Sequence, residues 1–183
     1  MSLRFEPVTK SSMDINEIKE MFRESFQVHE RLPMWLLLWR SKRDFIEFLG
    51  VYDEDKLIGY TYLITNGNLT FVLYLTIDPK IRSKGYGGLV LSKIKEHFPN
   101  NRIILNIEAM EETAANYEQR LQRKRFYMRN GYSRTNFNIL DAGNAYEVLV
   151  YGKDVTIEEY RDLIKRFAGP VLSIFVKPVF YLS

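Results

Sequence analysis

Leu69-Thr70-Phe71-Val72-Leu73-Tyr74-Leu75-Thr76-Ile77-Asp78-Pro79-Lys80-Ile81-Arg82-Ser83-Lys84-Gly85-Tyr86-Gly87-Gly88-Leu89-Val90-Leu91-Ser92-Lys93-Ile94-Lys95-Glu96-His97-Phe98 is the stretch on which the fold turns. Leu69, Phe71, Leu73, Leu75 and Ile77 fall on one face at period two, and Asp78-Pro79 ends the run because proline cannot donate to a ladder. Leu91, Ile94 and Phe98 then recur at helical spacing, with Ser92, Lys93, Lys95 and Glu96 on other faces. The order is strand, glycine-rich turn, helix, with Gly85, Gly87 and Gly88 at the mouth of the helix.

A turn of this kind suits a diphosphate. The first helical turn carries unpaired N–H groups and a partial positive charge, and residues without a Cβ let phosphate oxygens approach them. Arg82 and Lys84 add charge. A simple connection needing positive φ angles fits the glycines as well. Two other phosphate motifs do not fit: a Walker loop needs Gly-Lys-Ser/Thr, and the dinucleotide fingerprint needs a third glycine where Val90 stands.

The run Arg82-x-x-Gly85-x-Gly87-Gly88, directly after a strand ending Ile77-Asp78-Pro79, resembles the acyl-CoA pyrophosphate loop of the GCN5-related N-acetyltransferase (GNAT) superfamily. About forty residues on, Phe126-Tyr127-Met128-Arg129-Asn130-Gly131-Tyr132 resembles that family's Tyr-x-x-x-Gly-Phe/Tyr segment at a helix end. The resemblance covers roughly residues 4 to 151. It implies a single α/β (α+β) GNAT-like domain over residues 1–151, with a mixed central sheet of about six to seven strands and flanking helices. Residues 152–183 would be a C-terminal helix and apolar tail, packed on that domain or on a second subunit.

Composition is compatible with this picture. The chain has 183 residues, 46% hydrophobic and 27% charged, enough for one well-buried core. A net charge of +3 is too small to argue for nucleic acid. No cysteine is present, which removes disulfides, thiolate metal sites and a cysteine nucleophile. His29 and His97 alone are a poor inventory for a metal site, and none is expected. No apolar run approaches the roughly 18 residues of a membrane span. The expectation is a soluble cytoplasmic protein with no membrane and no nucleic-acid partner.

Along the rest of the chain, Arg4 to Val8 reads as a strand. Asp14 with Glu17 looks like a capping box before a helix bearing Ile15, Ile18, Phe22 and Phe26. His29 to Trp35 crowds an acid, a base and an aromatic around Pro33, followed by a helical pattern from Leu36 to Phe45. Phe48 to Tyr52 and Lys56 to Thr65 read as strands, and Asn66-Gly67-Asn68 as a hairpin turn into the central strand. Arg102 to Glu108 alternates again, and a strand reached through a helix should lie parallel to the one before it. Glu111 to Met128 reads as a long polar helix whose second half carries the basic run Arg120, Arg123, Lys124, Arg125 and Arg129, with Gly131 as its C-cap. Tyr132 to Leu140 and Ala145 to Tyr151 read as a closing hairpin, Thr156 to Phe167 as a helix, and Pro170 to Leu182 as an apolar tail that suggests a homodimer contact.

What the resemblance implies about chemistry is transfer of an acetyl group from acetyl-CoA to a primary amine, on a small molecule or a peptide, by direct attack without a covalent enzyme intermediate. Arg82, Ser83, Lys84, Gly85, Tyr86, Gly87 and Gly88 would bind the cofactor's phosphates, and Leu75, Thr76 and Ile77 its pantetheine arm through main-chain groups. Tyr127 matches the family tyrosine that protonates the leaving thiolate. Glu108, at the end of a strand bordering the family's cleft, is the candidate base. Glu30 and Trp35 fall in the connection that borders the acceptor site in the family. One departure stands out: the family often carries asparagine seven residues before the tyrosine, and here that position is Arg120. The alternative is an acyl-CoA-binding sensor or regulatory domain without chemistry.

Overall fold

The alternating stretches become strands and the 3.6-periodic ones helices. The computed structural model describes residues 3–82, 84–141, 143–172 and 178–182. In chain order these form β1 (Leu3–Pro7), α1 (Ile15–Ser25), α2 (Met34–Arg40), β2 (Ile46–Asp53), β3 (Lys56–Asn66), β4 (Leu69–Ile77), α3 (Tyr86–His97), β5 (Arg102–Glu108), α4 (Tyr117–Arg129), β6 (Ser133–Asp141), β7 (Asn144–Tyr151), α5 (Ile157–Leu172) and β8 (Val179–Leu182). The hydrogen-bonded strand order is β1-β2-β3-β4-β5-β7-β6-β8, eight strands instead of the six to seven expected. The added strand is β8, which lies in the tail read as merely apolar.

The chain divides into two compact units, residues 1–64 with 72–99 and residues 65–71 with 100–183. In the first, β1 and β2 pair antiparallel, as do β2 and β3, and the Asp78 amide donates to the Ile58 carbonyl at 2.9 Å where β4 ends. Its core is aromatic: Phe22 and Phe26 of the α1 segment meet Tyr74 edge-on at 5.0 and 4.8 Å, and Phe48 packs on Tyr62 at 5.3 Å. This packing changes the reading of β4. From Val72 onward the even residues Val72, Tyr74 and Thr76 are the more deeply buried, while Leu73, Leu75 and Ile77 are half-buried.

Asp14 differs from the capping box expected of it. Its side chain makes no cap bond and instead accepts from the Tyr52 hydroxyl at 2.8 Å. The reciprocal cap occurs later, where the Gln27 amide donates to the Glu30 carboxylate at 2.9 Å in a 3₁₀ turn, Val28–Glu30.

In the second unit the first residues of β4 pair parallel with β5, through Leu69↔Arg102 and Phe71↔Ile104, as the intervening helix requires. β5 pairs antiparallel with β7, β7 with β6, and β6 with β8. Tyr160 of α5 is buried among Phe71, Phe137 and Phe180, and its hydroxyl accepts from Asn106 at 2.7 Å. Arg102 bridges to both carboxylate oxygens of Glu159, at 2.6 and 3.0 Å, holding that carboxyl below its ordinary 4.5. The start of α5 carries the reciprocal cap that α1 lacks: the Thr156 amide donates to Glu159, and the Glu159 amide to the Thr156 hydroxyl. α5 kinks at Gly169, φ 66°, before Pro170. Residues 173–177 of the expected tail, and Ala142 of the β6–β7 turn, lie outside the described residues.

α4 starts at Tyr117, six residues later than the polar pattern from Glu111 suggested. Residues 111–116 are turns, with the Ala114 amide bonded to the Glu111 carbonyl and the Tyr117 amide to the Ala114 carbonyl. α2 likewise ends at Arg40, short of Phe45. No helix among the described residues is long and apolar enough to cross a membrane.

Candidate functional site

The glycine turn is built by what precedes it. Asp78 caps a 3₁₀ turn, Pro79–Ile81, by accepting from the Lys80 amide at 2.9 Å. Arg82 then folds back: its Nε donates to the Ile77 carbonyl at 3.2 Å and its Nη2 to the Ser25 hydroxyl at 3.3 Å. Ser25 is itself 2.5 Å from the Thr76 hydroxyl. Gly85 is the N-cap of α3 at φ 85°, with nothing within 4 Å of where a Cβ would stand, so glycine is required by conformation and not by crowding. Its carbonyl accepts from the Gly88 and Leu89 amides, which leaves the Tyr86 and Gly87 amides, without a backbone partner among the described residues, as the ones an anion would meet. The Tyr86 hydroxyl donates to Asp53 at 2.8 Å, and this bond is the main reason the phenol is pushed above its usual range. Lys84 is exposed, and Ser83 lies outside the described residues.

β3 reaches β4 closely because of Gly59. A Cβ there would overlap the Thr76 carbonyl oxygen and stand 3.1 Å from the Ile77 Cα. Of the three residues expected to offer main-chain groups, Ile77 already gives its carbonyl to Arg82.

Beside α1, the Tyr74 hydroxyl donates to the Glu30 carbonyl at 2.7 Å and accepts from the Leu32 amide at 3.0 Å, fixing residues 30–32. An open pocket of about 380 Å³ forms there, lined by Lys19, Phe22, Arg23, Arg31, Leu32 and Met34 among others. Neither Glu30 nor Trp35 lines it. The Glu30 carboxylate caps the Gln27 amide, and Trp35 is 65% exposed on α2. The cations were not legible as a group, because α1 and the following loop supply them at irregular spacing.

In the second unit Glu108 ends β5 with its carboxylate occupied. Asn116 donates to it at 3.3 Å, and the Arg120 and Arg123 guanidiniums stand 3.1 and 3.7 Å away. Arg120 also donates to the Asn116 side chain and to the Ala109 carbonyl, both at 2.8 Å. Lys124 and Arg134 pair with the buried Glu147 at 2.7 and 3.4 Å. Much of the basic run on α4 is thus neutralised by the sheet it lies on. Asn116 was not singled out in the sequence; nothing in its local pattern marks it.

Tyr127 lies on α4, half-buried, with its ring 5.1 Å from Phe126 and 5.7 Å from Tyr132. Its hydroxyl has no partner among the described residues. Burial pushes the phenol above its ordinary 10.0, with Arg123 opposing in part. Gly131, at φ 83°, follows as the residue just past the helix. Among the described residues no group of His, Asp or Glu is placed to hold a metal ion.

The family model for acetyltransferases of the GNAT family matches residues 15–132, and the chain belongs to that family. Among solved structures, a GNAT-family protein from Bacteroides thetaiotaomicron superposes with a TM-score of 0.74 at 21% identity, covering 93% of this chain and 98% of that one. A GNAT acetyltransferase from Elizabethkingia anophelis, with acetyl-CoA bound, matches at 0.57 and 11% identity, over 82% and 98% of the two chains. A spermidine N-acetyltransferase chimera from Vibrio cholerae and the human enzyme matches at 0.62 and 13%, over 81% and 94%. No curated protein matches the chain in sequence. At these identities the structural likeness speaks for the fold, and the family for acetyl transfer.

Proposed function

We propose that the protein is an N-acetyltransferase that takes its acetyl group from acetyl-CoA and passes it to a primary amine, on a small molecule or a peptide, by direct attack. The observation that carries this reading is the β4–glycine turn–α3 junction: a left-handed Gly85, two further glycines in the first helical turn, and Arg82 and Lys84 beside them. That set fits a diphosphate in charge and in the absence of side chains. Acetyl-CoA supplies an acetyl thioester, which amines attack without a covalent enzyme intermediate.

In this proposal Arg82, Lys84 and the amides of Tyr86 and Gly87 bind the phosphates, with Ser83 beside them and Gly85 and Gly88 giving their oxygens room, and Leu75, Thr76 and Ile77 orient the arm by main-chain bonds. Tyr127 donates a proton to the leaving sulfur; its unpartnered hydroxyl and raised pKa keep it protonated and available. The same hydroxyl argues against a sensor without chemistry, which has no use for an unpaired phenol. Glu108 accepts the proton of the attacking ammonium, directly or through water, and to do so gives up one bond from Asn116 or Arg120. Glu30 and Trp35 border the acceptor. Residues 1–151 form the acetyltransferase domain in this reading and residues 152–183 a C-terminal helix and apolar tail packed on it or on a second subunit. Val179 and Leu182, 61% and 81% exposed on β8, are where a second copy would dock. The cytoplasm, where acetyl-CoA is present, is the proposed location.

Thiol release from acetyl-CoA tests this, and the chain has no cysteine to contribute background. Addition of a panel of primary amines is expected to raise the rate above the amine-free control for at least one class, with the acetylated amine found by mass. Release at the same rate with and without every amine, and no acetylated product, contradicts transfer.

A further inference from the structure

The pocket beside α1 holds an imbalance that the donor chemistry does not use. Three of its walls are cationic, from Lys19, Arg23 and Arg31, and the floor between them is apolar, from Phe22, Leu32 and Met34. Lys19 and Arg31 are half-buried, yet neither has an ion-pair partner among the described residues. Among the described residues the Arg23 guanidinium reaches only the Lys19 carbonyl, at 3.3 Å. The acid of the loop, Glu30, is committed to the Gln27 amide and lines no part of the cavity. Unlike Lys124 and Arg134, which close on Glu147, these cations are held apart around open space. The segment that presents Arg31 is fixed from below by Tyr74, so the arrangement is built into the fold.

We infer that this pocket takes the anionic end of the acceptor, which makes the substrate an amine that also carries a carboxylate or phosphate on an apolar body. The inference rests on the acetyltransferase reading for the ligand's role as acceptor, but not for its binding. Half-buried cations gain most from an anion that brings charge-assisted hydrogen bonds, and the apolar floor gains from the body it covers. A polycation such as a polyamine gains nothing here and is repelled by three like charges.

The test reads the pocket without acetyl-CoA. In protein labelled with [methyl-¹³C]methionine, the Met34 signal, assigned by its loss in Met34→Leu, is followed during titration with phenylacetate, phenylacetamide or 2-phenylethylammonium. Phenylacetate is expected to shift Met34 saturably, about tenfold more tightly than the neutral amide, with 2-phenylethylammonium weakest. Arg31→Gln with Lys19→Gln removes that preference; since neither side chain has an ion-pair partner to lose among the described residues, Tm should hold. In the transfer assay, 4-(aminomethyl)benzoate is then favoured over 4-(aminomethyl)benzamide by the native protein and not by the double variant. No Met34 response, or equal responses to phenylacetate and phenylacetamide, overturns the inference. Neither result touches stabilisation by acetyl-CoA, so failure of the pocket and failure of the acetyltransferase reading are distinguishable.

Discussion

Tyr127→Phe is expected to lower kcat about 100-fold, at the lower end of what a positioned acid contributes, while the stabilisation by acetyl-CoA stays as in the native protein. The two readouts separate because the hydroxyl acts on the sulfur as it leaves, whereas the ring, packed on Phe126 and Tyr132, is kept in the variant. The hydroxyl has no partner among the described residues to lose, so its removal should cost little stability. A pH profile adds a second check. Burial raises the phenol's pKa above its ordinary 10.0, so it is protonated, and active as an acid, around neutral pH. No alkaline loss of rate from this group is therefore expected below about pH 9. A kcat within twofold of native removes Tyr127 from the proposed mechanism, and an alkaline limb near neutral pH that Tyr127→Phe abolishes contradicts the raised pKa.

Gly59→Val should be the most damaging single change in the first unit. A Cβ at this position meets backbone, the Thr76 carbonyl and the Ile77 Cα, so no side chain can swing aside to make room. β3 must part from β4 at residues 76–77, and overpacking of this severity costs about 3 kcal/mol or more. For a chain of 183 residues that lowers Tm by about 6–12 °C. Two other glycines calibrate the effect. At Gly50 the added Cβ meets the Tyr52 ring at 2.9 Å, side chain and not backbone, and at Gly85 it meets nothing, leaving a left-handed φ that costs about 1–2 kcal/mol. A Tm for Gly59→Val within 2 °C of native, read by calorimetry, contradicts the close approach of β3 to β4.

The strand, glycine turn and helix of residues 69–98 were legible because three local signals agree: period two up to Ile77, a proline stop, and period 3.6 from Leu91. Boundaries failed where long-range bonds captured the residues that signal them. Asp14 has the sequence of a cap, but Tyr52, distant in the chain, takes its carboxylate. Residues 111–116 are polar enough for a helix, yet Asn116 is drawn to Glu108 and the segment closes into turns. The inward face of β4 depends on where α1 puts Phe22 and Phe26, which no period in β4 itself records. The same holds for the site. Tyr127 and the glycines carry motif spacing, whereas Lys19, Arg23 and Arg31 become a group only when the α1 segment and the loop before Pro33 fold together. Strand β8 was hidden for a different reason: four residues after a proline show no alternation long enough to read, and their pairing is supplied by β6.

The central claim is that the turn after β4 binds an acyl-CoA, and a thermal melt with and without saturating acetyl-CoA tests it without knowledge of the acceptor. Ligand at about a hundred times its Kd adds about 2.7 kcal/mol to a protein that binds it only when folded. For this chain that is a rise in Tm of about 5–10 °C. Such a rise is expected with acetyl-CoA and with CoA, a smaller one with ADP, and its loss in Arg82→Ala combined with Gly87→Val. An unchanged Tm under saturating acetyl-CoA would contradict it and leave Gly85, Gly87 and Gly88 as a turn between a strand and a helix.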